Sequence, residues 1–160
     1  MDVVKSGRCL SHFVEEFKSV LESKNAKKVV YMGSKGICFS MAQLFGYSIR
    51  NTVENQYFIP DAEIENSVEY ELTDIGYRFF GLENEKNLKN PDIMVIMGGI
   101  ATKHSKATPD DVNDLIGRLN PEKIIGISIC NIFKETGWLE KIDFDYIIDG
   151  TLDPVNLWKK

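Results

Sequence analysis

The hydrophobic residues of the chain alternate between two spacings, one typical of helices and one typical of buried strands. Apolar residues recur three and four positions apart over residues 10–21, with charged residues between them, which predicts an amphipathic helix. Residues 29–32 are continuously apolar, as expected of a parallel strand covered on both faces. The glycine loop 33–36 follows, and helical spacing returns over residues 37–45. This part of the chain therefore predicts a helix, a strand, a glycine loop and a second helix that ends near Gly46 or shortly beyond it.

Three more apolar runs in the second half of the chain predict buried strands, at residues 93–97, 124–129 and 146–148. The helix between the first two begins with Thr108 as its cap and Pro109 at its first helical position, an arrangement that favours a helix start. A shorter helix is predicted over 132–135, with an interruption at Gly137 and a continuation from 138 to 142. The second half therefore continues the alternation of strand and helix.

The segment between these halves is less regular. Residues 57–59 predict a short strand that Pro60 ends, because proline cannot donate to a central ladder. Over residues 64–79 both a helix face and a half-exposed strand fit the apolar positions, and the alternation at 68–72 favours the strand. Residues 84–90 are polar and rich in asparagine, which predicts a surface loop.

The alternation of strands and helices is typical of an α/β fold with helices on both faces of a parallel sheet. We expect a three-layer αβα architecture with a mostly parallel, Rossmann-like or flavodoxin-like sheet of about five strands. The length of 160 residues is close to the common domain size, so we expect one domain over residues 1–160.

Charge and composition disfavour some classes of partner. The formal net charge of −5 argues against a broad surface for nucleic acid or an anionic membrane, because both would be repelled at long range. No apolar run is long enough to span a bilayer, and residues 1–8 lack the apolar core of a secretory signal. The sequence therefore predicts a cytoplasmic protein with neither nucleic acid nor membrane as a partner.

The candidate ligand site lies where two glycine loops are expected to meet. Ligands of such folds bind at the carboxyl ends of strands, especially where the strand order reverses. In a flavodoxin-like order, the strands ending at Met32 and Met97 flank that reversal, so the loops after them face each other. These loops and the exit of the last strand supply the candidate ligand-binding residues Gly33, Ser34, Lys35, Gly36, Gly98, Gly99, Thr102, Lys103 and Asp149. Free backbone N–H groups beside Lys35 would hold a phosphate, a carboxylate or a nucleotide-like ligand.

Each of these signals also has a purely structural interpretation. The glycines fit a tight strand-to-helix turn that needs no ligand. Their spacing matches neither the P-loop nor the dinucleotide-binding motif, so the sequence specifies no cofactor. The favoured interpretation assigns no metal ligands. Asp149 and Asp153 would suit magnesium or a ribose hydroxyl, and an ordinary turn explains both equally well.

The three cysteines and the loop histidine are weaker candidates for chemistry. Cys9, Cys38 and Cys130 are widely spaced, which fits reduced thiols in the core better than disulfides or zinc. Cys130 follows a buried strand, where a helix start would make a thiol nucleophilic, although a buried filler role is favoured. His104 lies in a predicted strand-end loop and would suit general acid–base chemistry. An exposed histidine without a role is favoured, because no partner acid is identifiable.

Several segments together resemble a known family. Residues 93–101, 129–133 and 145–150 carry the likeness, which extends over most of the chain. The chain resembles a family of uncharacterised archaeal proteins found mainly in methanogens. This resemblance implies a cytoplasmic archaeal protein, and it supplies no catalytic residues. A looser likeness, of fold alone, is to Rossmann-like domains that bind nucleotides or adenosylmethionine, and fold does not transfer function.

Three functions therefore remain open at this point. The first is a domain, enzymatic or not, that binds a small anionic or nucleotide-like molecule at its strand exits. The second is a regulatory or structural module that acts as a homodimer. The third is a metal- or thiol-dependent site formed by Cys38, Cys130 and His104.

Overall fold

Seven strands form one sheet in the computed structural model, which describes residues 3–151 and 156–159. The strand order is β4-β3-β2-β1-β5-β6-β7. The bounds of the strands are β1 (Lys28–Gly33), β2 (Asn55–Pro60), β3 (Val68–Thr73), β4 (Gly76–Gly81), β5 (Ile93–Met97), β6 (Lys123–Ile129) and β7 (Tyr146–Gly150). Each apolar run that predicted a buried strand lies within one of these strands.

Helices cover both faces of the sheet. On one face, α1 (Cys9–Ser23) and α2 (Ile37–Ser48) pack their buried side chains, such as Phe17 and Phe45, into one hydrophobic core. On the other face, α3 (Pro109–Leu119) and the short α4 (Ile132–Glu135) enclose a second core. The three-layer αβα prediction is therefore confirmed. Every helix in the described part of the chain is too short or too polar to cross a bilayer.

The parallel part of the sheet has the flavodoxin-like order. Strands β2, β1, β5, β6 and β7 are parallel neighbours in that order, with Tyr31 of β1 opposite Val95 of β5. The predicted adjacency of the strands ending near Met32 and Met97 is therefore correct. The expected number of about five strands was too low, because the sheet has seven, of which these five are parallel. The antiparallel hairpin of β3 and β4 adds two strands beyond β2.

Local signals placed most helix ends correctly. The Thr108 hydroxyl accepts from the Asp111 N–H at 3.2 Å, and the Asp111 carboxylate accepts from the Thr108 N–H at 2.8 Å, which completes a capping box at α3. Gly137 has a φ of 72° between α4 and the 3-10 turn Trp138–Glu140, as its predicted interruption requires. The predicted surface loop 84–90 differs in two respects: Glu85–Leu88 forms a 3-10 turn, and Leu88 is fully buried in the second core.

Candidate functional site

The two predicted glycine loops meet at the carboxyl ends of β1 and β5. A Cβ atom built on Gly99 would lie 2.4 Å from the Cys38 sulfur and 2.5 Å from Ser34 Oγ. A Cβ atom on Gly33 would lie 2.5 Å from the Cys38 Cβ and 3.1 Å from the Met97 Cβ. Side chains of normal size do not fit at these distances, so the glycines let one loop approach the other.

An apolar cavity of about 230 Å³ lies beside this meeting point. It lies between the exits of β5 and β6, the start of α2 and one side chain of α1. Among the described residues, its lining consists of Phe13, Ile37, Cys38, Met41, Met97, Gly98, Gly99, Thr102, Ile127, Ser128, Ile129 and Ile132. A cavity therefore lies beside the reversal of strand order, but none of residues 33–36 of the first glycine loop lines it. Three of the predicted ligand residues, Gly98, Gly99 and Thr102, line it.

The polar groups along the cavity are few and mostly bonded within the protein. The Ser34 hydroxyl, buried behind the loop, donates to the Cys38 sulfur at 3.3 Å. The Thr102 hydroxyl donates to the Gly99 carbonyl at 2.8 Å. These bonds fix the loops and leave the cavity wall predominantly apolar.

The start of α2 adjoins the cavity without a side-chain cap. Gly36 precedes the helix with a φ of 84° and supplies no side-chain cap, and the first turn has no acidic residue. Ile37 and Cys38 belong to this turn and line the cavity. The first N–H groups of a helix have no partners within it, and they carry the positive end of its dipole. The mouth of the cavity therefore has a favourable potential for an anion.

Lys35 does not line this cavity. Its Nζ lies 2.7 Å from Glu63 Oε2 and 3.9 Å from Asp61 Oδ2. The hydrogen bond to Glu63 raises the pKa of Lys35, and the same bond lowers the pKa of Glu63. Lys35 and Gly36 instead line a separate groove of about 250 Å³ next to Phe39. The ammonium group of Lys35, which the sequence predicted to bind an anionic ligand, is therefore paired with the carboxylate of Glu63.

Asp149 holds the exit of β6 in shape. Its carboxylate accepts from the hydroxyl of buried Ser128 and, at 2.9 Å, from the backbone N–H of Asn131. Cys130 and Asn131 both have positive φ, at 58° and 56°, a conformation that costs free energy in residues other than glycine. The bonds to Asp149 support this turn, so the structure gives that carboxylate a local role. Asp153, the second candidate carboxylate for magnesium or a ribose hydroxyl, lies outside the described residues.

Two of the cysteine predictions need correction. Cys9 and Cys130 are exposed, whereas Cys38 is buried as expected. Cys130 is exposed because the left-handed turn at 130–131 leads the chain out of the sheet, and its N–H donates to Gly150 O at 3.0 Å. The favoured role of Cys130 as a buried filler is therefore wrong.

Lys103 and His104 lie on the exposed loop after β5. The His104 N–H makes a long bond of 3.4 Å to the Thr102 hydroxyl, and neither side chain lines the cavity. In residues 3–151 and 156–159, no three His, Cys, Asp or Glu side chains converge as a metal site would require. The hypothesis that Cys38, Cys130 and His104 form such a site therefore lacks a ligand set in this part of the chain.

The apolar lining was largely missed from the sequence. Phe13 belongs to α1, and its ring lies within 3.3 Å of where a Gly150 Cβ would be, at the far edge of the parallel set. Met41, Ile127 and Ile132 were interpreted only as core residues. One feature of the sequence could have identified part of this lining. Residues 127–132 lie at and beyond the end of a predicted buried parallel strand, and in such folds ligands bind at that edge of the sheet.

The fold and the cavity define an α/β protein of flavodoxin-like strand order with a cavity at the reversal. The chain belongs to the family described as uncharacterized proteins conserved in archaea (DUF2124), whose model matches residues 8–153. The archaeal resemblance inferred from the sequence is therefore confirmed.

Relatives in two methanogens match almost the whole chain. An uncharacterized protein of Methanocaldococcus jannaschii is 36% identical over 150 residues, which cover 94% of this chain and 90% of that protein. One of Methanothermobacter thermautotrophicus is 26% identical over 155 residues, 96% of each. The crystal structure of a protein of unknown function from Methanothermobacter thermautotrophicus has a TM-score of 0.85 at 25% identity and covers 99% of both chains. The same architecture thus occurs in a solved relative.

Proposed function

We propose that this protein binds a small molecule with an apolar body and an anionic or nucleotide-like end. The apolar body occupies the cavity between β5, β6 and α2, and the anionic end lies at the start of α2. The observation that carries this proposal is the apolar cavity beside an uncapped helix start at the reversal of strand order. Flavodoxin-like folds bind their ligands at this position.

The size of the cavity limits the ligand. Pockets for drug-sized molecules usually enclose about 300–1,000 Å³. A cavity of about 230 Å³ suits a smaller molecule, or one ring or short chain of a larger molecule whose remainder lies outside. A nucleotide would therefore place only its base or its sugar in the cavity.

The charges of the site limit how the anion is held. Lys35 is paired with Glu63, and the described cavity lining contains no charged side chain. Backbone N–H groups of the α2 start would therefore hold the anion, as at other helix N-termini. We expect affinity to depend on the presence of both the apolar body and the anionic end.

Matched probes test the two halves of the ligand. Phenyl phosphate carries both, phenol only the apolar body, and inorganic phosphate only the anion. Isothermal calorimetry with these three, and with adenosine monophosphate and adenosylmethionine, is the measurement. We expect phenyl phosphate to bind more tightly than phenol or phosphate. Equal affinity for phenol and phenyl phosphate would contradict an anion subsite, and no binding of any probe would contradict the proposal.

A matched pair of variants then locates the site. Ile37 is the first residue of α2, is 71% exposed and lines the cavity mouth. Ile37→Asp adds a negative charge where an anion is expected and suits a first helical turn. We expect it to weaken phenyl phosphate binding by roughly tenfold, from lost apolar contact plus charge repulsion. The control is Ile75→Asp, at a 95% exposed turn residue between β3 and β4 that lines no part of the cavity. An equal effect of both variants would overturn the assignment.

A further inference from the structure

The edge strand β4 presents its backbone to solvent. It is the last strand in the sheet order, and its four residues from Arg78 to Gly81 are exposed. Its register with β3 is continuous over Gly76–Gly81, without a bulge or a proline. Natural edge strands usually prevent further pairing by such devices or by charged side chains, of which β4 has one, Arg78. The β4 edge is therefore open to another strand.

The hydrogen-bond alternation shows which backbone groups are free to pair. The Leu82 N–H donates to Ser67 O at 3.0 Å, directly beyond the last pair of the β3–β4 ladder. Because hydrogen-bonded and non-hydrogen-bonded pairs alternate in an antiparallel ladder, the even-numbered residues of β4 bond with β3. The N–H and C=O groups of Tyr77, Phe79 and Gly81 then point outward from the sheet.

The side chains of this edge form two aromatic surfaces. Phe79 faces the α2 side, where its ring lies 4.7 Å from that of Phe39, and it is 36% exposed. Phe80 faces the opposite side of the sheet, is 49% exposed and shares that side with Arg78. Apolar surface and free backbone groups therefore occur together along one strand.

We propose that two copies of this chain associate through β4, antiparallel about a twofold axis at Phe79, so that their two seven-stranded sheets become one continuous sheet. In this register, Phe79 pairs with Phe79 of the second copy, and Tyr77 pairs with Gly81 of the second copy. All three outward-pointing residues of each strand then find backbone partners. The interface is isologous, as twofold dimers require.

The charges of the strand fit this arrangement. The twofold axis places Arg78 directly opposite Phe80 of the second copy, in the closely spaced type of cross-strand pair. A guanidinium over an aromatic ring is attractive. Within each copy, Glu71 is the neighbour of Arg78 across the β3–β4 ladder, so the second copy brings no uncompensated like charge to either arginine.

Two pairs of matched variants test the dimer. Gly81→Pro removes one outward N–H, whereas Gly81→Ala keeps it, and a Cβ at this position meets nothing within 4 Å. Phe80→Lys replaces the ring opposite Arg78 with a positive charge, and Ile75→Lys places the same charge at the exposed turn. Sedimentation velocity over a concentration series gives the dimer dissociation constant, and circular dichroism confirms that each variant is folded.

The expected results separate edge pairing from other modes of association. Wild type, Gly81→Ala and Ile75→Lys dimerise alike, whereas Gly81→Pro and Phe80→Lys weaken the dimer by about tenfold or more, because the interface contains each residue twice. Amide exchange of Tyr77, Phe79 and Gly81 slows with rising protein concentration. A wild type that stays monomeric at every soluble concentration overturns the proposal. A dimer that resists both disruptive variants places association on a different surface and overturns it as well.

Discussion

Gly99 lies where the two glycine loops touch, and the space around it is filled. The Cys38 sulfur and Ser34 Oγ lie 2.4 and 2.5 Å from the position that a Cβ would occupy. We therefore expect Gly99→Ala to lower the free energy of unfolding by roughly 1–3 kcal/mol, the usual cost of overpacking. Urea unfolding measures this change.

Gly117 provides the contrasting case. It lies on the exposed side of α3, and a Cβ there meets nothing within 4 Å. Gly117→Ala should raise the free energy of unfolding by about 0.5–1 kcal/mol, because alanine is the better helix former. If Gly99→Ala and Gly117→Ala change the free energy of unfolding in the same direction, crowding by Cys38 and Ser34 is not the reason that position 99 requires glycine.

Asp149 is predicted to stabilise the fold through Ser128. Asp149→Ala leaves the Ser128 hydroxyl, in a residue that is 3% exposed, without its acceptor. We expect a loss of roughly 1–3 kcal/mol in unfolding free energy, and a smaller loss for Asp149→Asn, which keeps one acceptor oxygen. Thermal unfolding of both variants checks this. Wild-type stability of Asp149→Ala would mean that the carboxylate is available for another role, such as ligand binding.

For single residues, the sequence predicted where a residue lies better than which side chain it contacts. Gly98, Gly99 and Thr102 were placed at the carboxyl edge of the sheet because strand ends can be recognised from apolar runs. The pairing of Lys35 with Glu63 was not predictable, since it depends on how the loop after β2 lies over the loop after β1. Interactions between side chains far apart in sequence require the tertiary structure.

Among the helices, α3 was the most predictable, because the residues that start it, Thr108 to Asp111, are adjacent in sequence.

The capping box of Thr108 and Asp111 at the start of α3 predicts that stability depends on pH. The hydrogen bonds from the Thr108 side chain and backbone lower the pKa of Asp111 below its ordinary value of 3.8. The stability contributed by a carboxylate with a lowered pKa is present above the ordinary value and is lost as the pH falls through the lowered one.

Asp111→Asn should therefore remove part of the acid dependence of stability. We expect the unfolding free energy of this variant to fall less steeply than that of wild type as the pH drops below about 4. Asp110→Asn removes a carboxylate of the same turn that lies outside the capping box, and it serves as the control. Parallel pH profiles for wild type and Asp111→Asn, measured by urea unfolding, would contradict the role of this cap.

The hairpin of β3 and β4 shows where sequence patterns become ambiguous. The alternation in β3 was recognised, because its glutamates separate its apolar residues. β4 was missed, because Phe79 and Phe80 are adjacent and lie on opposite faces of an edge strand. The turn between the strands contains Asp74 and Ile75 and lacks the Asn-Gly or Asp-Gly signal of a two-residue hairpin.

For the molecule as a whole, the alternation of elements predicted a parallel sheet, whereas the flavodoxin-like strand order was one assumed possibility and the cavity was not predicted from the pattern. The cavity needs α1 to lie beside the exits of β6 and β7, although α1 precedes β1 in the chain. Patterns within α1 show which of its residues are buried, but they do not show which part of the sheet it covers. The composition of the cavity lining therefore emerged only with the tertiary structure.

The proposed ligand places its apolar part in the cavity beside the exits of β5 and β6. Methyl NMR during a titration with phenyl phosphate detects such binding. We predict that the methyl signals of Met41, Met97 and Ile127 shift progressively, while those of Met94, in the opposite core, and exposed Ile75 stay in place. Shifts confined to methyl groups outside the cavity lining, or no shifts at all, would show that the ligand does not bind in this cavity.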